Sequence, residues 1–414
     1  MIVHKLHLPH ISLPQTFIAL RHPNYRLWFF GLLISFAGSW MQSTAQGYLV
    51  YDLTQSAAYL GYIGFAAGIP AWLFTLYGGV VADHVPRRTL ILITQTVMMM
   101  LAFVLAGLVF SGIIQPWHIV VLAFLLGIAN AFDITARQAF LNELVPRRDL
   151  TNAIALGSTL FNLALIVGPA LAGFTYSLVG PGWCFALNGI SYLGVIGALL
   201  LMKLQPAVLA PRRGSVFTDL KDGFAYVRAD QSIVILLIGR VVMGIFLMGV
   251  LSLLPAWAVK ILGGDVTTNG MLYSARGVGA VIGALVVASL SRKDVRGRIW
   301  MISYLALPFA LLGFALLHHI WAAMVLIALI GATIVTTNNT CNAIIQMQAP
   351  DELRGRVMAF FVLVFTGSTP LGSLLAGELA DRFGEPAVAV LSAAVLFLYA
   401  ASVRLWKKEI QDLP

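Results

Sequence analysis

The chain has 414 residues, of which 59% are hydrophobic and only 10% charged. A soluble domain carries roughly 25% charged residues, so water is excluded as its solvent and the bilayer takes that place. The formal net charge of +9 does not signal a nucleic-acid partner, because the basic residues gather in the links on one side of the apolar runs.

A spanning helix needs about 20 apolar residues, and only helices satisfy every backbone polar group within one apolar segment. The pattern predicts an all-α integral membrane protein. Twelve spans are expected at about 27–51, 57–79, 89–110, 118–140, 151–176, 182–203, 232–259, 267–289, 299–317, 321–345, 357–379 and 387–404. His, Pro and Lys interrupt the first fifteen residues, so no cleaved signal peptide is expected there. With the amino end inside, only Lys260 and Arg382 of the 26 Lys and Arg fall in outer links, while Arg137, Arg240 and Arg276 fall inside spans. The rest lie on the inner side, as the positive-inside rule requires. This predicts a multi-pass protein of a bacterial inner membrane with both termini cytoplasmic.

In chain order, the first span carries Ser35, Ser39, Gln42 and Gln46 at helical spacing on one face. The second ends in Gly79-Val-Val-Ala-Asp83-His84-Val-Pro86-Arg87-Arg88. There Gly79 allows close helix approach, Asp83 can pair with a cation or cap a helix, and Arg87 and Arg88 can anchor the link at an anionic leaflet. The fourth span holds Asn130, Asp133 and Arg137. Asp133 and Arg137 are four apart and share a face. They read either as a structural ion pair or as a gating or proton-exchange element. The fifth span holds Asn162 and the run Gly168-Pro169-Ala-Leu-Ala-Gly173. Cys184 and Cys341 lie in apolar runs and read as free thiols.

After the sixth span, residues 205–231 form a link with Pro206, Pro211, Arg212 and Arg213, then a helical stretch. Val216, Leu220, Phe224 and Val227 give that stretch one apolar face, so it is expected on the inner membrane surface as a tether. Arg240 sits about eight residues into the seventh span. Arg276 lies about nine residues into the eighth, roughly 14 Å from its outer end at 1.5 Å per residue, where snorkelling to either surface is hard. The tenth span carries Thr337, Asn338, Asn339 and Asn342. Glu378 and Asp381 end the eleventh span and read as a solvated face rather than as proton carriers, for which Asp133 is the other candidate.

The chain also repeats itself at an offset of 204 residues: Gly79 with Gly283, Gly127 with Gly331, Pro146 with Pro350, and Gly168 and Gly173 with Gly372 and Gly377. This predicts two six-helix bundles, residues 1–204 and 232–414, around a central site. In the second copy Val287 stands where the first has Asp83, and the loop reads Ser291-Arg292-Lys293-Asp294.

The loop from Gly79 to Arg88 resembles the loop 2–3 signature of the major facilitator superfamily, Gly-x-x-x-Asp-Arg-x-Gly-Arg-Arg/Lys. His84 and Pro86 depart from it. Asn24-Tyr25-Arg26-Leu27-Trp28, Trp40-Met41-Gln42, Leu144-Val145-Pro146 and the Gly168–Gly173 run are similar to the exporter branch that includes the enterobactin exporter. The resemblance implies a secondary transporter working by alternating access. It implies a loop 2–3 latch at Gly79, Asp83, Arg87 and Arg88, an exporter motif at Gly168, Pro169 and Gly173, and proton antiport. It also implies a cavity lined by the first, fourth, seventh and tenth spans. Ionisable groups inside spans cost several kcal/mol and are functional candidates. The expected cavity set is therefore Gln42, Gln46, Asn130, Asp133, Arg137, Asn162, Arg240, Arg276, Asn338 and Asn342.

Three arginines against one carboxylate give the spans a formal excess of positive charge, which favours an acidic or amphiphilic small molecule such as a siderophore. A broad drug exporter or a lipid flippase on the same fold are the alternatives. No phosphate-loop, zinc-protease or nucleophile-elbow motif is present in the sequence. No enzyme activity, cofactor or metal is expected, and the expected partners are the small-molecule substrate, protons and membrane lipids around a monomer.

Overall fold

The computed structural model describes residues 16–204, 216–290 and 295–406, without the side chains of 75–76, 78–80, 82–83, 216–222 and 406. The link residues Pro206 to Arg213, the loop Ser291 to Asp294, and the side chains at Gly79 and Asp83 lie outside the described residues. Among the described residues every regular element is helical. The long segments are α1 (Pro23–Thr54), α2 (Ala57–His84), α3 (Arg87–Phe110), α4 (Pro116–Leu144), α5 (Leu150–Val179) and α6 (Pro181–Leu201). They continue as α7 (Gln231–Ile261), α8 (Val266–Leu290), α9 (Arg296–Leu316), α10 (Ile320–Gln348), α11 (Arg354–Phe383) and α12 (Glu385–Trp406). A separate helix, Val216–Ala229, precedes α7.

Proline opens α1, α4 and α6, where its missing N–H would have had no helical partner. Gly180 (φ +91°) and Gly384 (φ +86°) make the tight links between α5 and α6 and between α11 and α12, a backbone region that disfavours a side chain. Eleven described segments are long and apolar enough to cross a membrane. α1 is long enough, at 32 residues, but its serines and glutamines dilute its apolar character and it is not among the eleven. Large apolar side chains such as Leu201, Ile302 and Val325 are exposed, a surface suited to lipid rather than water.

α7 is not a regular helix. Its turns at Met243–Leu247 and Trp257–Ile261 are π-helical, a local irregularity often found at functional positions. The sequence did not announce the first turn, whose residues fit an ordinary apolar helix; the second holds Lys260 and follows Pro255.

α1 packs on α5 and α6, α3 on α4 and α6, and α2 on α4. Likewise α8 packs on α10, α9 on α10 and α12, and α7 on α11. Two seams join these groups, α2 with α11 and α5 with α8. Both seams are built on small residues. A Cβ at Gly270 would stand 2.5 Å from the Pro169 carbonyl oxygen, and one at Gly61 would stand 2.6 Å from that of Ser373. The Ser274 hydroxyl adds a hydrogen bond to the Ile166 carbonyl at 2.6 Å. Both seams lie toward the ends that carry the α1–α2, α5–α6, α7–α8 and α11–α12 links, called here the closed end. Toward the opposite ends a cavity of 840 Å³ opens between α1, α4 and α5 on one side and α8 and α10 on the other.

The helix Val216–Ala229 docks on the start of α11. The Phe224 ring lies 5.8 Å from that of Phe360, Val227 is buried, and the Tyr226 hydroxyl donates to the Gln348 carbonyl at 3.0 Å. Burial raises the Tyr226 phenol above its usual pKa. Part of the face expected to meet lipid is therefore used against protein.

Candidate functional site

Asp133 sits on α4 and is almost fully buried. Its Oδ2 lies 2.5 Å from Nε of Arg137, one turn on. Its Oδ1 accepts from the Thr94 hydroxyl at 2.8 Å and from the Gln95 amide at 2.9 Å. A buried carboxylate needs such partners to stay charged, and these tie α4 to α3. The Arg137 guanidinium carbon lies 5.3 Å from the Phe36 ring centroid and 5.8 Å from that of Trp28, close enough for cation–π attraction. Its terminal Nη nitrogens donate no hydrogen bond to another described residue, although the group lines two cavities.

Three cavities adjoin one another through shared residues. The first, of 490 Å³, is bounded by Phe36, Trp40, Phe161, Tyr192, Asn130 and Arg137. The second, of 210 Å³, shares Ser39, Ser43, Asn130 and Tyr192 with it and reaches Gln42 and Gln46. The third is the 840 Å³ cavity, which shares Phe36, Arg137, Gln138 and Phe161 with the first and includes Asn162 and Asn339. The predicted Gln42, Gln46, Asn130, Asp133, Arg137 and Asn162 thus line neighbouring cavities, each of which shares residues with the first or is the first. Gln42 is further held by Asn188, whose Nδ2 donates to its Oε1 at 2.7 Å. Asn188 and the aromatic residues were not expected from sequence. Phe36 and Trp40 are four apart on α1, a spacing that could have flagged them, but an aromatic stripe at helical spacing also describes core or lipid contact.

Arg240, Arg276, Asn338 and Asn342 do not line these three cavities. Arg240 is buried between α7, α10 and α11: its Nη1 donates to Asn338 Oδ1, and its guanidinium carbon lies 4.2 Å and 4.0 Å from the Phe361 and Phe365 ring centroids. Arg276 stands 6.0 Å from the Trp40 ring centroid and 5.3 Å from that of Tyr273. It therefore lies behind the aromatic wall of the first cavity. Neither arginine has a carboxylate partner among the described residues. Asn342 hydrogen-bonds Gln346 along α10, while its neighbour Asn339 reaches the large cavity.

The remaining motif residues serve contacts. Arg87 pairs with Glu143 at the end of α4 at 2.6 Å, and Arg88 donates to the Leu200 carbonyl at 3.3 Å, so both have protein partners. Gly168 lies against α1, where a Cβ would meet the Trp40 Cβ at 2.5 Å. Pro169 and Gly173 lie against α8 at Gly270. Asp381 is exposed and Glu378 half-buried, and both also have partners on α2. Asp381 accepts from the Ser56 hydroxyl and the Ala57 amide at 2.6 Å each, capping α2, and Glu378 accepts from the Tyr62 hydroxyl at 2.5 Å. Carboxylates at the start of a helix offset its unpaired N–H groups, which favours the Asp381 contact. Cys184 and Cys341 are free and buried. No metal-holding cluster occurs among the described residues.

The profile of the transmembrane secretion effector family matches residues 15–412. The staphyloferrin A transporter of Staphylococcus aureus is 26% identical over 361 residues, 87% of this chain and 90% of that protein. The multidrug efflux pump Tap of Mycolicibacterium fortuitum is 27% identical over 397 residues, 93% of this chain and 96% of that protein. In fold, the chain is similar to a crystal structure of a nucleoside transporter NupG variant, with a TM-score of 0.73 at 16% identity, over 93% of this chain and 100% of that one. The chain belongs to the transmembrane secretion effector family of the major facilitator superfamily, a family of multi-pass membrane transporters and not of enzymes.

Proposed function

We infer that this protein exports a small acidic or amphiphilic molecule by proton-driven alternating access. The observation that carries this reading is the charge of the membrane-embedded core. Asp133 is neutralised by Arg137, and Arg240 and Arg276 have no carboxylate partner among the described residues. Uncompensated cations in a low-dielectric interior attract anions. The name of the multidrug efflux pump agrees with export, and that of the staphyloferrin A transporter with transport of a small molecule. In this reading the cavity set is Gln42, Gln46, Asn130, Asp133, Arg137 and Asn162, with Arg276 supplying field from behind Trp40 and Arg240 held with Asn338 for a second conformation.

The scaffold in this reading is twelve spans in two bundles, residues 1–204 and 232–414, joined by 205–231. Helix bounds support the 204-residue repeat: Pro116–Leu144 recurs as Ile320–Gln348 and Leu150–Val179 as Arg354–Phe383. Both termini face the cytoplasm, the closed end faces out, and the protein acts as a monomer. Loop 2–3, with Gly79, Asp83, Arg87 and Arg88, latches the inner side in the alternate state. Asp133 carries the coupling proton only if Arg137 releases it.

Replacing Arg276 with Gln tests the reading. In proteoliposomes the variant should insert normally and lose transport of the anionic dye calcein. Unchanged calcein transport would contradict it. A second reading, broad drug efflux, is favoured by the aromatic walls of the first cavity, and transport of the cationic dye ethidium in place of calcein would select it.

A further inference from the structure

We propose that the 490 Å³ cavity is a stacking subsite for the planar aromatic ring of an acidic substrate. This deepens the acidic-substrate reading above and rests on it. Three rings form one wall. Phe161 meets Phe36 edge-on at 5.9 Å between centroids and Trp40 at 5.8 Å. Tyr192 and Met98 also line the space. Aromatic rings prefer edge and offset contacts at these separations, so the wall is a preformed array into which another flat ring fits.

The polar lining of the cavity comprises Ser39, Ser43, Asn130, Gln138 and the Asp133–Arg137 ion pair, groups that can orient a ligand. Arg137 is the cation lining this cavity, and Asp133 occupies its Nε side while the Nη nitrogens donate to no described residue. A planar guanidinium edge left open in this way fits a carboxylate or another acidic substituent. Asn130, Ser39 and Ser43 offer further hydrogen-bonding groups. Arg276 stands near the Trp40 ring, so the wall is backed by a second cation. An aliphatic acid would satisfy the arginine but leave the rings without a partner. An aromatic cation would satisfy the rings but meet the guanidinium, since the Asp133 carboxylate that also lines the cavity is engaged by Arg137, Thr94 and Gln95.

The test is calorimetric titration of the purified full-length protein with three probes: 1-naphthoate, cyclohexanecarboxylate and 1-naphthylmethylammonium. The wild type should bind 1-naphthoate about tenfold more tightly than cyclohexanecarboxylate, the equivalent of about 1.4 kcal/mol. Phe161→Leu should erase that preference by weakening 1-naphthoate alone, and Phe161→Tyr should keep it. Equal binding of the two acids by the wild type, or a preference that survives Phe161→Leu, overturns the subsite and leaves the acidic-substrate reading standing. Failure of both acids to bind overturns both. Tighter binding of 1-naphthylmethylammonium than of 1-naphthoate overturns the acidic class of the ligand.

Discussion

Asp133 shows how far a single residue can be read from its neighbours in sequence. The spacing to Arg137 announces a shared face, and the pair is formed at 2.5 Å. Thr94 and Gln95 could not be foreseen, because they come from another helix and nothing in the local pattern links them to position 133. Three partners, one of them the Arg137 guanidinium, hold the carboxylate in place. Removing one member of a buried pair costs about 3–5 kcal/mol because the other charge is left uncompensated. Asp133→Asn should therefore lower thermal stability in detergent strongly, and Asp133→Asn combined with Arg137→Gln should recover much of the loss. A single variant as stable as the wild type would mean that the pair holds nothing together. Arg276 was legible as a midspan cation, but its place behind Trp40 was not, since helix rotation depends on packing that the sequence does not display.

At the scale of elements, apolar length and turn residues made the helices visible, and proline at the start of α4 and α6 agrees with the expected bounds. What stayed hidden were features set by contact. The π turn Met243–Leu247 of α7 lies in ordinary apolar sequence. Glu378 and Asp381 read as a solvated face because they end a helix; their added contacts with the start of α2 come from another element and could not be read locally. Loss of an N-terminal cap costs about 1 kcal/mol, so Asp381→Ala should speed hydrogen exchange of the amides at Ala57 to Leu60. Exchange identical to wild type would remove the capping role. The glycines of the seams were legible as small, but not as partners of specific carbonyls. Filling a packed site costs about 1–3 kcal/mol. Gly270→Leu should thus lower the unfolding temperature and loosen α5 from α8, whereas Gly107→Leu, where nothing approaches within 4 Å, should not. Equal effects of the two would argue against a tight seam at Gly270.

For the whole molecule, composition excluded water as solvent, and the motif at Gly79 to Arg88 pointed to the superfamily that the match over residues 15–412 establishes. The closed end and the cavity at the other end describe one state of a transporter. Such a state cannot be read from sequence, because alternate states share all their residues. The proposed preference for anions rests on Arg240 and Arg276, which have no carboxylate partner among the described residues, and on the aromatic wall of the 490 Å³ cavity. The most direct measurement is transport into proteoliposomes under an imposed proton gradient, with calcein and ethidium as paired probes. The account predicts calcein accumulation that collapses when a protonophore is added, and no ethidium accumulation. Gradient-driven ethidium accumulation with calcein excluded would contradict it.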